Sequence, residues 1–303
     1  MKFAGIIAEY DPFHNGHAWQ LAQAKALGAE RVAVAMSCSL VQRGALPLLP
    51  EAVRTRSALT CGADLVFALP APCACAGAEA FARAGVALLA AAGCDGLVFG
   101  AETPDAALLM EAAELLDSGS YRAALKAQLA GGARSFAAAR QAAAAQLASD
   151  ERVAALLDKP NNNLAVEYCR AIRSLAPRME AYPLPRQGAD HGEALHSAHG
   201  QFASASALRK LWAEGGADAV APYVPEAVFP LYQEAYAAGQ YTDFSAAGRC
   251  ELALLRSACR DKAPFADIRG VSEGLEHRLE AAVRTSTTYD ELLDALTTVR
   301  YPR

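Results

Sequence analysis

The chain has 303 residues, with 28 Lys and Arg against 33 Asp and Glu and a formal net charge of −5. That length buries a full core and suits one α/β domain with a smaller appendage, and the acidic balance means that any RNA contact must be local. Although 53% of the residues are hydrophobic, much of that share is alanine and no apolar run is clean enough to span a bilayer: 63–78 contains Asp64, Pro70 and Pro72, and 84–94 is too short.

Lys2 to Ala8 is an apolar run of strand length, and Glu9-Tyr10-Asp11-Pro12-Phe13 turns it into His14-Asn15-Gly16-His17 at the head of a helix expected over 15–27. A first strand that runs directly into such a motif has no signal-peptide layout, so a cytoplasmic protein is expected. The first N–H groups of a helix lack internal partners and lie at the positive end of its dipole, where a phosphate is favoured. Gly16 allows close approach there, and His14 and His17, three apart, share a helical face. Two such histidines can also cap the helix or bind a metal. Position favours a ligand site, because the motif follows the first strand of a parallel α/β pattern, and ligands gather at the carboxyl ends of such strands.

Strand two is expected over 31–36, leading into the polar loop Ser37-Cys38-Ser39-Leu40-Val41-Gln42-Arg43-Gly44. An amphipathic helix over 51–61, a strand over 64–69, a small-residue helix over 77–92 and a strand over 95–102 follow. This alternation predicts βαβ units and a parallel, Rossmann-like sheet. From 104 to 157 the periodicity is helical throughout, a helical insertion whose alanine-rich stretch 136–148 reads as plain packed helix. Lys159-Pro160-Asn161-Asn162-Asn163 precedes a helix over 164–175, and asparagine there can act as a cap. A fifth strand is expected over 178–182, stopped by Pro183 and followed by Pro185-Arg186-Gln187-Gly188.

The stretch His191 to Gly200 reads as a flexible histidine-rich loop, with no cysteine or regular acidic pattern that would make it a metal site. In Gln201-Phe202-Ala203-Ser204-Ala205-Ser206-Ala207-Leu208-Arg209-Lys210, two hydroxyls and an Arg-Lys pair at a helix start suit either a second phosphate hook or an ordinary serine cap. Beyond Trp212 the chain is mostly helical, broken around Pro222, Pro225 and Pro230, with a last helix over 289–296. The expected organisation is therefore a catalytic domain over 1–212 carrying the insertion at about 104–157, and a helical region over 213–303. The eight cysteines lack paired metal spacings and are expected as buried free thiols. No resident metal is expected.

Taken in order along nearly the whole chain, these pieces resemble the bacterial tRNA(Met) cytidine acetate ligases, a branch of the His-x-Gly-His nucleotidyltransferase superfamily. The pieces are Gly5 to His17, Met36-Ser37 with Val41-Gln42-Arg43-Gly44, Gly62-Ala63-Asp64-Leu65-Val66 with Leu69-Pro70, and Phe99-Gly100-Ala101-Glu102. They continue through Pro160-Asn161-Asn162 with Glu167-Tyr168, Phe202 to Arg209, and Glu273-Gly274-Leu275-Glu276.

The resemblance implies an α/β nucleotidyltransferase fold and a two-step reaction. Acetate attacks the α-phosphate of ATP to give acetyl-adenylate, and the acetyl group passes to the exocyclic amine of the wobble cytidine in elongator tRNA(Met), without acetyl-CoA. By the same resemblance His14 and His17 are catalytic, and Ile7, Ala8, Glu9, Tyr10, Asn15, Gly16, Gly100, Asn161 or Asn162, and Arg186 contact the nucleotide. Ser204, Ser206 and Arg209 hold its outer phosphates, with Mg2+ accompanying the ATP. The charge that builds on the α-phosphate and on departing pyrophosphate calls for fixed donors at both places.

The chain departs from the family pattern at Asp11, usually asparagine, at Asn163-Leu164-Ala165, usually Ile-Leu-Gly, and at Ser206, usually threonine. It also ends at Val299-Arg300-Tyr301-Pro302-Arg303, where the family continues into a basic helix, so a weak grip on tRNA is expected. Two other readings stay open: a nucleotidyltransferase that adenylylates a small metabolite, and a nucleotide- or RNA-binding protein without catalysis.

Overall fold

The computed structural model describes all residues except 42–43, 133–134, 187–194, 198–199, 261–264, 266–267, 269–270, 272–273 and 299–303. Gln42 and Arg43 of the polar loop, His191 and His199 of the histidine-rich stretch, Gln187-Gly188, Glu273 and the last five residues thus lie outside the described residues.

The first half alternates as expected: β1 (Phe3–Ala8), α1 (Asn15–Ala26), β2 (Arg31–Ser37), α2 (Glu51–Thr60), β3 (Leu65–Leu69), a short α3 (Ala71–Ala74), α4 (Ala78–Ala91) and β4 (Gly96–Ala101). The insertion folds as α5 (Ala106–Asp117), α6 (Gly119–Ala130), α7 (Phe136–Leu147) and α8 (Glu151–Leu156), and the chain returns through α9 (Pro160–Leu175) to β5 (Glu180–Pro185). The rest comprises β6 (Leu195–Ser197), β7 (Gly200–Phe202), α10 (Ala205–Val220), α11 (Phe229–Ala237), α12 (Phe244–Ala258), α13 (Leu275–Thr285) and α14 (Tyr289–Leu296).

The five long strands are all parallel, in the order β3-β2-β1-β4-β5. Successive strands leave β1 in opposite directions, so the β1/β4 boundary is the switch point at which a crevice opens beyond the strands' carboxyl ends. The central strands are buried on both faces: Ile6, Val32, Val34 and Met36 are fully covered on one, and Ala33, Ala35 and Leu97 on the other, and burying each larger side chain is worth about 1.5–3 kcal/mol. Helix α4 lies unusually close to the sheet, because a Cβ on Gly85 would fall 2.5 Å from Cδ1 of Ile7. A larger residue at Gly85 would have to displace the Ile7 side chain or lift the helix off β1.

Four sequence expectations are corrected. Strand five runs on through Pro183 rather than stopping before it, since β5 is an edge strand and a proline there forfeits no ladder bond on its outer side. Helix α9 begins at Pro160, so the three asparagines stand in its first turn instead of capping it from outside; proline's fixed φ suits the first helical position. The described part of the histidine-rich stretch is an antiparallel ladder, Leu195↔Phe202 to Ser197↔Gly200, not a loop. Among the cysteines, Cys38, Cys94, Cys169 and Cys259 are buried free thiols, but Cys61, Cys73 and Cys75 are only half-buried and Cys250 is exposed.

Two buried ionic features brace this frame. Arg54 on α2 is wholly buried and its guanidinium is spent on backbone carbonyls: Nε on Leu49 (3.0 Å), Nη1 on Glu9 (2.7 Å) and Ser37 (2.6 Å), and Nη2 on Cys38. It thereby ties the exits of β1 and β2 together. Glu167 on α9 is 2% exposed and takes Arg140 of α7 at 2.5 Å and Arg170 at 2.7 Å, while Arg170 also reaches Asp117 of α5 at 2.8 Å. Such a buried cluster adds modest net stability but fixes how the insertion sits on α9.

The sheet-side core does not end near residue 212. Helix α10 continues to Val220, with a non-helical kink at Gly216, and Leu208, Trp212, Val220, Val228 and Tyr232 share one apolar cluster with Ile6, Phe13 and Val34. A separate cluster forms from Leu252, Cys259, Phe265, Ala282, Val283 and Leu292. Among the described residues, no helix is long and apolar enough to cross a membrane.

Candidate functional site

A cavity of about 700 Å³ opens at the switch point. Most of the expected contacts meet there: Ile7 to Tyr10 from the end of β1, His14, Gly16 and His17 from the start of α1, Gly100 from β4, Asn161 from α9, Arg186 just past β5, and Ser204 at the start of α10. Asn15, Asn162, Ser206 and Arg209 do not line it.

The histidine motif has a more specific construction than its spacing implies. His14 is not on the helical face but is the N-cap of α1, in extended conformation. Its Nδ1 accepts the N–H of Gly16 (3.0 Å), and Nδ1 of His17 accepts the N–H of His14 (3.2 Å). The two rings stack with centroids 3.8 Å apart. A Cβ on Gly16 would lie 2.9 Å from His14 Cε1, so the glycine makes room for the ring as well as for any ligand. With both Nδ1 atoms accepting, a neutral ring must carry its proton on Nε2. The helix start therefore does not face the cavity with that bare amide. An imidazole takes the amide's hydrogen bond on one side and offers an N–H on the other.

Burial keeps both rings neutral, lowering His14 to about 4 with help from the nearby Arg186 charge. His17 is held well below the ordinary histidine value by burial, by His14 and by Arg186. Because the folded values lie below the unfolded value of 6.5, the unfolded chain binds more protons between pH 6.5 and about 4, and stability falls as pH drops through that window. Urea unfolding at about pH 7 and about pH 5 should show this loss, with a smaller loss in His14→Asn. An equal loss in the variant would place the acid sensitivity elsewhere.

The turn into α1 is strained and well held. Tyr10 has φ of 51° and is 1% exposed, a left-handed conformation uncommon for a bulky residue and typical of functional turns. Its ring meets Phe13 and His17 edge-on at 4.9 and 4.8 Å. Elements late in the sequence hold this turn: Tyr232 Oη donates to the Phe13 carbonyl at 2.7 Å, and Asn15 Nδ2 donates to the Pro222 carbonyl at 3.3 Å. Asn15 thus gives its side-chain amide to the helical region.

Arg209 completes that bracing. Its Nη1 donates to the Asp11 carbonyl (2.7 Å) and carboxylate (3.2 Å), and Asp11, 3% exposed, also accepts the N–H of Leu48 at 2.6 Å. Burial raises the Asp11 pKa while the Leu48 amide, Arg209 and Arg54 oppose it. Asp11 thereby has an ionic partner in Arg209. Ser204 is the N-cap of α10, accepting the N–H of Ala207 (3.2 Å), and its hydroxyl lies 3.1 Å from that of the exposed Ser206. Both readings of the serines, cap and phosphate contact, are open to Ser204 at once. Lys210, rather than Arg209, is the cation that α10 brings to the cavity wall.

Sequence reasoning did not single out Trp19, Gln20, Glu214 and Tyr223, which also line the cavity. Nor did it assign a role to Arg54 or Glu102. Glu102 stands just past the end of β4, a position that could have drawn attention to it.

A parallel sheet with this crevice, and neutral stacked histidines at the first helix start, define an α/β nucleotidyltransferase. A family model described as HIGH Nucleotidyl Transferase matches residues 1–303. The tRNA(Met) cytidine acetate ligase of Syntrophotalea carbinolica is 36% identical over 306 residues, spanning 100% of this chain and 71% of that protein, and that of Acetivibrio thermocellus is 33% identical, spanning 100% and 74%. Crystal structures of Thermotoga maritima TmcAL superpose with a TM-score of 0.90 for the apo form (30% identity) and 0.89 for a form bound with alpha-thio ATP (29% identity); each spans 99% of this chain and 72% of that one. The chain belongs to the tRNA(Met) cytidine acetate ligase family.

Proposed function

We propose that this protein binds ATP, activates acetate as acetyl-adenylate with release of pyrophosphate, and transfers the acetyl group to the exocyclic amine of the wobble cytidine in elongator tRNA(Met). The observation that carries the reading is the stacked His14–His17 pair at the cavity wall, each ring accepting a backbone N–H at Nδ1, so that the proton of a neutral ring lies on Nε2. Attack by an acetate oxygen on the α-phosphorus adds charge to the phosphate's free oxygens, and rigid donors stabilise that charge without reorganising. Neutral rings suit this step because they donate to the developing charge without having to lose a proton of their own.

On this reading Ser204 and Lys210 flank the departing pyrophosphate at the start of α10, and Arg186 and the α1 dipole favour the anionic substrates. Arg209 holds the β1–α1 turn against α10, so the two phosphate-binding elements keep a fixed spacing. Mg2+ enters with the nucleotide's phosphates; among the described residues no group of three or more His, Cys, Asp or Glu is placed to hold a metal. In the second step the cytidine amine attacks the acetyl carbonyl, AMP leaves and the amine loses one proton. The sequence relatives and the ATP-analogue complex support this assignment.

The test is to incubate the protein with ATP and acetate, with and without elongator tRNA(Met) at low salt, and to measure pyrophosphate and acetylcytidine in the digested RNA. Acetate-dependent pyrophosphate release with acetylcytidine is expected. Pyrophosphate release without acetylcytidine would favour a small-metabolite acceptor, and no acetate dependence would remove acetate as the substrate.

A further inference from the structure

Three N–H groups converge on the carboxylate of Glu102. Oε1 accepts from the backbone N–H of Asn161 (3.2 Å) and from its side-chain Nδ2 (2.6 Å), and Oε2 accepts from the backbone N–H of Asn162 (2.7 Å). The positive end of α9 is therefore already filled by the protein's own anion. With donors on both oxygens the carboxylate acts only as an acceptor, and that settles which way the Asn161 amide must lie: nitrogen toward Glu102, oxygen away from it.

Asn162 is committed elsewhere. It is 1% exposed, its Oδ1 accepts the Thr103 N–H at 2.9 Å and its Nδ2 donates to Thr103 Oγ1 at 3.2 Å. Asn161 lines the cavity, and so do Leu164 and Tyr168, three and seven residues on, on the same face of α9. Asn161 Oδ1, turned away from Glu102, is the acceptor that this face can offer at the helix start, ahead of the side chains of Leu164 and Tyr168. The face fits a flat heteroaromatic ring with an exocyclic amine at one edge.

We infer that Glu102 is a specificity-determining positioning residue: by fixing the Asn161 amide with its oxygen toward the cavity, it makes the site accept a 6-amino purine and reject a 6-oxo purine. The inference rests on the reading of the cavity as the ATP site. A 6-oxo group would set an acceptor against an acceptor, leaving both unpaired, which a site built around a specific hydrogen bond rejects strongly. In Glu102→Gln a single amide oxygen faces three N–H donors and the NH2 group is set against at least one of them, so the hold on the Asn161 amide is weakened.

The experiment compares ATP with inosine triphosphate, which differs by a 6-oxo group, in acetate-dependent pyrophosphate release by wild type, Glu102→Gln and Asn161→Ala. The kcat/KM ratio of the two nucleotides is read within each variant, so a partly unfolded sample does not alter it. Wild type should prefer ATP, and Glu102→Gln should reduce that preference at least tenfold, mainly through KM. If Asn161→Ala weakens ATP while Glu102→Gln keeps the wild-type ratio, the positioning role is overturned and Glu102 is only a helix cap. If Asn161→Ala leaves ATP unaffected, the placement of the base against α9 fails, and the inference fails with it.

Discussion

His17→Ala is expected to lower acetate-dependent pyrophosphate release on the order of 100- to 1000-fold, about 3–4 kcal/mol of transition-state stabilisation. The residue offers Nε2–H to charge that appears mainly as the phosphorus is attacked, so the loss should fall on kcat more than on KM. The variant also removes the acceptor for the His14 N–H and one ring of the stack. His17→Asn separates these roles, because an amide can still accept that N–H and still donate, and it should recover part of the rate. A rate within a fewfold of wild type for His17→Ala, in a protein that melts normally, would remove His17 from the chemistry.

The second large effect is on stability. Arg54→Met should destabilise the fold by about 3–5 kcal/mol, because the carbonyls of Glu9, Ser37, Cys38 and Leu49 lose a buried donor and cannot reach water. Arg54→Lys should rescue little, since a single ammonium cannot span carbonyls that the planar guanidinium meets on different sides. Denaturant midpoints at constant slope would give the value. A loss under about 1 kcal/mol would mean that water or a backbone shift satisfies those carbonyls.

What could be read from the sequence is what depends on near neighbours. The strand expected over 2–8 and the helix expected over 15–27 are found at Phe3–Ala8 and Asn15–Ala26, and between them only the place of His14, an N-cap and not a member of the helical face, differs from the expectation. The fate of Pro183 depended on β5 lying at the sheet edge, a property of strand order that no local window contains. Arg54 belongs to a stretch read only as an amphipathic helix, with charged Glu51 and Arg56 nearby and nothing local to mark it off from them, yet it is fully buried. Arg209 was matched to a phosphate hook by its place in a motif, whereas its partner Asp11 lies 198 positions earlier. The choice between Asn161 and Asn162 was equally closed to sequence. Adjacent identical side chains are distinguished only by Glu102 and Thr103 across the gap to β4.

The brace on the histidine turn bears on the order of events at the ribosome. His14 and His17 are synthesised about 200 residues ahead of the partners of their turn, for Phe13 is held by Tyr232, Asn15 by the Pro222 carbonyl and Asp11 by Arg209. Domains fold as units while synthesis proceeds from the N-terminus, and here the nascent chain must carry residue 232 beyond the exit tunnel before the turn can close. The site is thus begun well before it is finished. A growing chain that lacks α11 has the strands of a catalytic domain without a set place for its histidines.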